Sequence, residues 1–266
     1  MLKRIILIIL KLSPFSKKWF WEKWYDIFAK KARNTNLRLM NYGYHAHDFE
    51  LNLSEEDYIE RYPIQLYHFV TSHADIKDKN VLEVGSGRGG GASYIARYLS
   101  PSSITGVDIS NEAVALCSEF YDVPNLNFIC ADSESLPFPD NSFDVLVNVE
   151  SSHCYGNMER FLSEVSRVVK PGGYFGWADL RAKDMVKETE FAFEKSNLTC
   201  IYNKTITPEV INALDDIHDT KMKMINNHVP KFLRSAFTDF AGAKNSKIYN
   251  SFKSGDAVYL SIVLKK

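Results

Sequence analysis

An α/β fold with a parallel sheet and helices on both of its faces is what this sequence predicts, and three observations predict it. From Asn80 to Leu180 short β-rich runs alternate with helical periods. A glycine-rich stretch, "VLEVGSGRGGGAS" (Val81 to Ser93), stands directly on the first of those runs. After Leu180 the alternation gives way to helical periods and then to a β-rich end. Strand–helix alternation connects parallel neighbours and covers both faces of the sheet they form.

The elements follow in order. "NVLEVG" reads as a buried strand, and Ala92, Ile95, Ala96 and Leu99 then recur at the i, i+3, i+4, i+7 spacing of one helix face. "SITGVDI" is the next strand. Ala113, Leu116, Cys117 and Phe120 repeat the helical face, with Ser110 placed to cap it. "LNFICAD" and "FDVLVNVE" are the third and fourth strands. Met158, Phe161, Leu162, Val165, Val168 and Val169 mark an amphipathic helix stopped by "KPGG", and "GYFGWADL" is the fifth strand. Beyond it, Thr207 caps a helix with Pro208 in its first turn, lined inside by Val210, Leu214, Ile217 and Met224. Leu233, Ala236, Phe237 and Phe240 form another helix, ending near Gly242. "KIYNSFKSGDAVYLSIVLKK" reads as two strands turning at Ser254 and Gly255, a terminal antiparallel hairpin. The chain thus divides into an N-terminal helical segment (1–75), a ligand-binding core (76–182), a helical insert before the last two strands (183–243) and the hairpin (244–266). Such an insert belongs over the carboxyl ends of the strands, where open α/β sheets bind ligands.

Bulk properties narrow the partners. A net charge of −1 gives no basic excess, so nucleic acid is not expected. Cys117, Cys130, Cys154 and Cys200 stand far apart, which suggests reduced thiols in a cytoplasmic protein. His45 and His47 with Asp48 are too thin a set for a metal, and none is expected. The start, "MLKRIILIILKLSPFSKKWFWEKWYDIFAKK", has an apolar run far short of the roughly 20 residues that span a bilayer, and no small-residue cleavage site follows it. Its tryptophans among lysines suit either peripheral contact with a membrane interface or a helix folded over the domain's own active-site mouth.

A backbone so rich in glycine makes room for a ligand. Gly85, Gly87 and Gly90 fit the dinucleotide pattern G-x-G-x-x-G, but Glu83, two residues before the first glycine, suits S-adenosylmethionine. Asp108 ends the second strand, placed for two hydrogen bonds to ribose hydroxyls. Asp132 ends the third and is followed by Ser133, within reach of an adenine edge. A nicotinamide enzyme needs the first of these two and has no standing use for Glu83 or Asp132, so three acids on three successive strand ends favour S-adenosylmethionine.

Together Glu83 to Gly89, Asp108, Ala131-Asp132-Ser133, "LPFPDNSFDVLVNVE" and "VVKPGGYF" resemble the motifs of the Rossmann-like S-adenosylmethionine-dependent methyltransferases. The resemblance implies that Glu83, Gly85, Ser86 and Gly87 hold the methionine end. It also implies that Asp108 holds the ribose, that Ile109 flanks the adenine and Asp132 and Ser133 bind its edge, and that Asn148 belongs to the cofactor site. "MNYGYHA" resembles a segment that many relatives fold over the sulfonium, which makes Tyr42, Gly43 and Tyr44 candidates. "GGGASYIARYL", "LVNVESSHCY", "RFLSEVSRVVKPGGYF", "ADLR" and "VPKFLR" look like the phthiotriol/phenolphthiotriol dimycocerosates methyltransferases. That resemblance implies O-methylation of an alcohol on a hydrophobic small molecule or lipid.

Methyl transfer to an alcohol needs alignment, exclusion of water and a base. His153 is the histidine of the core motifs, in the stretch after the fourth strand, and is the candidate base. Its rate limb is expected at an apparent pKa of about 6–7. Glu150 and Asp179 also end strands, placed to orient His153 or the acceptor, to cap a helix or to pair with Arg181. Three other readings stand beside O-methylation: C-methylation of a sterol-like acceptor, a membrane-associated protein that binds S-adenosylmethionine without catalysis, and the disfavoured dehydrogenase.

Overall fold

The computed structural model describes residues 37–266 except 48, 232 and 233. The tryptophan-rich start, and with it the choice between membrane contact and lid, lies outside the described residues. Two helices, α1 (Glu55–Tyr58) and α2 (Arg61–Thr71), lead into the alternating core. There β1 (Asn80–Val84), α3 (Gly90–Tyr98), β2 (Ser103–Asp108), α4 (Asn111–Phe120), β3 (Leu126–Cys130) and β4 (Phe143–Val149) follow in turn. A short 3-10 turn (Ser152–Cys154), α5 (Met158–Val168) and β5 (Val169–Ala182) complete it.

The seven strands of the sheet run in the order β3-β2-β1-β4-β5-β7-β6. From β3 to β5 neighbours are parallel; β7 (Ala257–Lys265) is antiparallel to both β5 and β6 (Thr199–Thr205). Successive residues of β1 serve opposite faces. Val81 joins Val145, Val147 and Ile95 on one side, whereas Leu82 and Val84 join Leu146, Phe161 and Trp177 on the other. Both faces are therefore apolar, as a sheet covered twice requires. Strand order reverses between β1 and β4, and the crevice at their carboxyl ends is where a ligand fits.

The alternating core matches the expectation, and the C-terminal third corrects it. Lys247 to Ser254 is not a strand but helix α10, started by Ser246, whose hydroxyl accepts from Tyr249 N at 3.3 Å, and closed by Gly255. Ile248, Tyr249 and Phe252 share one side of that helix, a spacing that aromatic and β-branched content disguises as a strand. The antiparallel partner of β7 is instead β6, inside the segment expected to be helical. Nearly every residue of β6 is exposed, so it carries no apolar alternation to betray it.

After β5 comes α6 (Val186–Glu194), and the helix expected from Thr207 breaks at Ile217 into α7 (Thr207–Asp216) and α8 (His218–His228). Thr207 does not cap it, because its hydroxyl accepts from Tyr259 N at 2.8 Å in β7. The next helix, α9 (Arg234–Phe240), follows as expected. Val169 belongs to β5, and "KPGG" lies within that strand, where Gly172 N donates to Lys266 O at 2.7 Å. Among the described residues no helix is long and apolar enough to cross a membrane.

Removing the cap tests the helical assignment of the C-terminal segment. Ser246→Ala should lower stability by about 1 kcal/mol, read as a fall in thermal midpoint. A hairpin at Lys247 to Ser254 would be indifferent to losing that hydroxyl.

Candidate functional site

The carboxyl ends of β1, β2, β3 and β4 open into one cavity, walled by Gly85, Ser86, Gly87, Asp108, Ile109, Asp132, Ser133 and His153. The glycine loop takes its shape from the strands beneath it. Gly85 N and Ser86 N both donate to Val107 O, at 2.7 and 2.9 Å, which folds the chain back over β2. Gly85 and Gly87 adopt φ of +79° and +52°, a left-handed backbone that a side chain would strain. At Gly85 a Cβ would also collide with Ser151. The first turn of α3, Gly90 and Gly91, lines the same cavity, so the positive end of the helix dipole faces it.

Asp108 is held before any ligand arrives. One carboxylate oxygen accepts from Gly87 N at 2.8 Å and the other from Ser110 N at 2.9 Å, which ties loop, strand end and α4 together. Ser110 caps α4 as expected, accepting from Ala113 N. Asp132 Oδ1 accepts from Glu134 N at 3.0 Å, and that turn presents Asp132, Ser133 and Glu134 to the cavity.

Three of the expected cofactor residues stand behind the wall instead of in it. Glu83 is fully buried and accepts from the Tyr67 hydroxyl at 2.6 Å. Burial pushes its pKa up to about 7 against the pull of the Tyr67 and Ala92 hydrogen bonds. Asn148 is also fully buried, with its amide donating to Val84 O at 2.8 Å and Ser151 Oγ at 2.7 Å; it supports the wall and is not in contact with the cavity. Gly43 packs against Ala213 and Tyr62, one step behind Tyr42. In each of the two strands the next residue, Val84 or Val149, lines the cavity instead.

Tyr42 does line the cavity, and with it Arg38, Leu39, Met40 and Asn41, a roof of which the sequence marked only part. Tyr42 N donates to Glu150 Oε2 at 2.8 Å, and its hydroxyl to Phe240 O at 3.3 Å at the end of α9. Tyr44 is buried beside it and stacks on Phe69 at 4.4 Å. Ser151 and Tyr155 also line the cavity, brought there by the turn after β4, and Phe240 reaches it from the end of α9.

At the far end His153 Nδ1 lies 2.8 Å from Asp179 Oδ1, and its backbone N donates to Asp179 Oδ2 at 2.8 Å. Asp179 also pairs with Arg181 at 3.0 Å, so it orients the histidine and holds the arginine at once. Burial alone would raise the Asp179 carboxyl, but His153 and Arg181 hold it well below the usual carboxylate range. Burial alone would lower the imidazole, yet Cys154 and Asp179 hold it well above the ordinary histidine value. The expected limb at about 6–7 therefore moves upward. Among the described residues no group of three or more His, Cys, Asp or Glu side chains is placed to hold a metal.

A methyltransferase-domain family model matches residues 82–176, which spans the glycine loop and most of the strand ends described above. The chain is 36% identical over 248 residues to the phthiotriol/phenolphthiotriol dimycocerosates methyltransferase of Mycobacterium tuberculosis, covering 93% of this chain and 92% of that protein. This chain belongs to that family. It is an S-adenosylmethionine-dependent methyltransferase. The chain is also 36% identical over 223 residues to the fatty-acid O-methyltransferase of Mycolicibacterium smegmatis, covering 84% of this chain and 81% of that one. The geranyl diphosphate C-methyltransferase of Streptomyces coelicolor, solved with S-adenosyl-L-homocysteine, shares the fold with a TM-score of 0.65 at 16% identity. It covers 91% of this chain and 97% of that one.

The methyltransferase's own residues fit S-adenosylmethionine. Ser86 Oγ is buried at the cavity with no hydrogen-bond partner among the described residues, as a polar group waiting for a ligand would be. Asp108 would hold the ribose, Asp132 and Ser133 the adenine edge, and the glycine loop the methionine end.

Asp108→Ala should weaken S-adenosylhomocysteine binding in calorimetry by about 1.5–3 kcal/mol, the scale of a hydrogen bond to a charged group. Gly87→Val should abolish binding, since a β-branched residue resists the left-handed backbone and would press on Met40. Wild-type affinity in both variants would remove the cavity from the cofactor's path.

Proposed function

We propose that this enzyme methylates a hydroxyl group on a hydrophobic, lipid-like acceptor, with His153 as the general base. The observation that carries the reading is the His153–Asp179 pair at the end of the cavity. Two relatives support the acceptor class by their names, one acting on phthiotriol and phenolphthiotriol dimycocerosates and one on fatty acids. Val149, Leu180 and Phe240 line the same cavity as His153, and apolar lining of this kind suits a hydrocarbon acceptor.

The bound cofactor supplies a methyl carbon on a positively charged sulfur. With Nδ1 donating to Asp179, proton exchange falls to Nε2 of His153, which takes the acceptor's O–H proton as the new C–O bond forms. When bound, the cofactor would give up its methyl group and keep the C–S electron pair, so the products would be S-adenosylhomocysteine and a methyl ether. Asp179 fixes the tautomer and stabilises the imidazolium so formed. His153 must shed a proton before it accepts one, and a like charge on the bound sulfur favours that loss.

The pH dependence follows from these signs. A histidine whose pKa is raised is neutral only above that value, so kcat/KM should rise with pH through a limb above the ordinary histidine range. The limb in kcat, which reports the loaded enzyme, should lie lower. His153→Ala should cut turnover on a long-chain secondary alcohol by about 10²–10⁴-fold, lose the limb and leave S-adenosylhomocysteine affinity nearly intact. Turnover like wild type in that variant, or label from methyl-labelled cofactor found on carbon by NMR, would overturn the proposal.

A further inference from the structure

Glu150 ends β4 with a φ of +49°, a left-handed backbone that a residue with a side chain adopts only when its surroundings hold it there. Its own N–H is tied to Ala178 O at 2.8 Å, so the strain is fixed by the sheet. The side chain enters the cavity wall, and one oxygen, Oε2, accepts from Tyr42 N at 2.8 Å and from the Tyr259 hydroxyl at 2.8 Å. These donors are remote in sequence, one from the roof and one from β7. At the roof's other end Glu60 Oε1 accepts from Arg38 N and Leu39 N, each at 2.9 Å. Side-chain carboxylates thus clip both ends of the Arg38–Tyr42 roof by its backbone. The clip extends into the insert, because the Tyr42 hydroxyl reaches Phe240 O and Lys221 Nζ reaches Ala241 O at 2.9 Å, with its charge 5.6 Å from the Tyr42 ring centroid.

We infer that Glu150 is a positioning residue for methyl transfer: its carboxylate latches Tyr42, and through Tyr42 the roof, closed over the bound cofactor. A carboxylate accepts these hydrogen bonds more strongly than a carboxylic acid, so the ionised latch is the closed one. Burial pushes Glu150 up to about 7, against the Tyr42 N–H, the His153 charge and the Tyr259 hydroxyl, while Asp179 adds to the rise. Lys221 faces it from α8. Glu60, also pushed up by burial, holds the far end, and Glu83 titrates beneath the cavity. The latch should therefore loosen as pH falls through neutrality, and removal of the Glu150 charge should remove its share of that change.

The test is calorimetry of the full-length chain with S-adenosylhomocysteine at pH 6 and pH 8, on wild type, Glu150→Gln and Glu150→Ala. At pH 8 Glu150→Ala should bind about 10-fold or more weakly, the scale of one lost charge-assisted hydrogen bond. Glu150→Gln, which keeps an oxygen for Tyr42 N but not the charge, should recover part of that loss and stay weaker than wild type at pH 8. Wild type should lose affinity from pH 8 to pH 6, and Glu150→Gln should lose clearly less. If the alanine variant fails to fold, the glutamine variant's pH dependence still decides. Wild-type affinity in Glu150→Ala, or a pH dependence in Glu150→Gln equal to that of wild type, would overturn the inference.

Discussion

Asp179 is the group on which the rest of the active site leans. It is fully buried at the end of β5, where an ionised carboxylate is tolerated only if its oxygens are paired. They are. Oδ1 faces His153 Nδ1 and accepts from Leu180 N, and Oδ2 accepts from Ser152 Oγ, His153 N and Arg181 Nη1. Ser152 Oγ is in turn met by Trp177 Nε1 and Arg181 Nη2, and Arg181 lies 5.0 Å from the Trp177 ring centroid. One charge therefore fixes the Ser152–Cys154 turn, the imidazole tautomer and a buried arginine together. A partly satisfied network of this kind would destabilise more than an apolar core, which is why its members cannot be changed one at a time without consequence.

Environment divides the acids of the strand ends into different tasks. Asp179, surrounded by donors and two cationic partners, stays ionised and serves as a fixed anion. Glu150 and Glu83 have fewer donors against the same burial, and both rise to about 7. Asp108 sits at the cavity with backbone N–H groups on both oxygens, which orients it. Across Asp179, Glu150 and Glu83, hydrogen-bond supply decides which stays ionised and which rises under burial.

Much of the site was legible because its signals are local. The glycine loop, Asp108, Asp132 and His153 each follow a strand whose apolar run is visible in the sequence, and the structure brings these residues to one cavity. What escaped was long-range or faceless. Glu83 and Asn148 belong to the right strands but stop one residue short of the cavity, where Val84 and Val149 line it, and an apolar run alone does not mark that last step. The exposed strand β6 has no alternation to detect, and α10 hides its helical period under residues that favour strands. Tyr42 and Tyr259 meet at Glu150 from 108 and 109 residues away, a contact that only the closed fold can create. His153 and Asp179 were both legible as candidates, and the fold joins them by a hydrogen bond of 2.8 Å.

The most direct measurement of this account is the titration of the His153 imidazole by NMR in the unliganded enzyme, compared between wild type and Asp179→Asn. In wild type the pKa should lie well above the ordinary histidine value of about 6.5. Asparagine keeps the shape and removes the charge, so the value should fall clearly below that of wild type. The same pKa in both proteins would contradict the claim that Asp179 holds and charges the histidine.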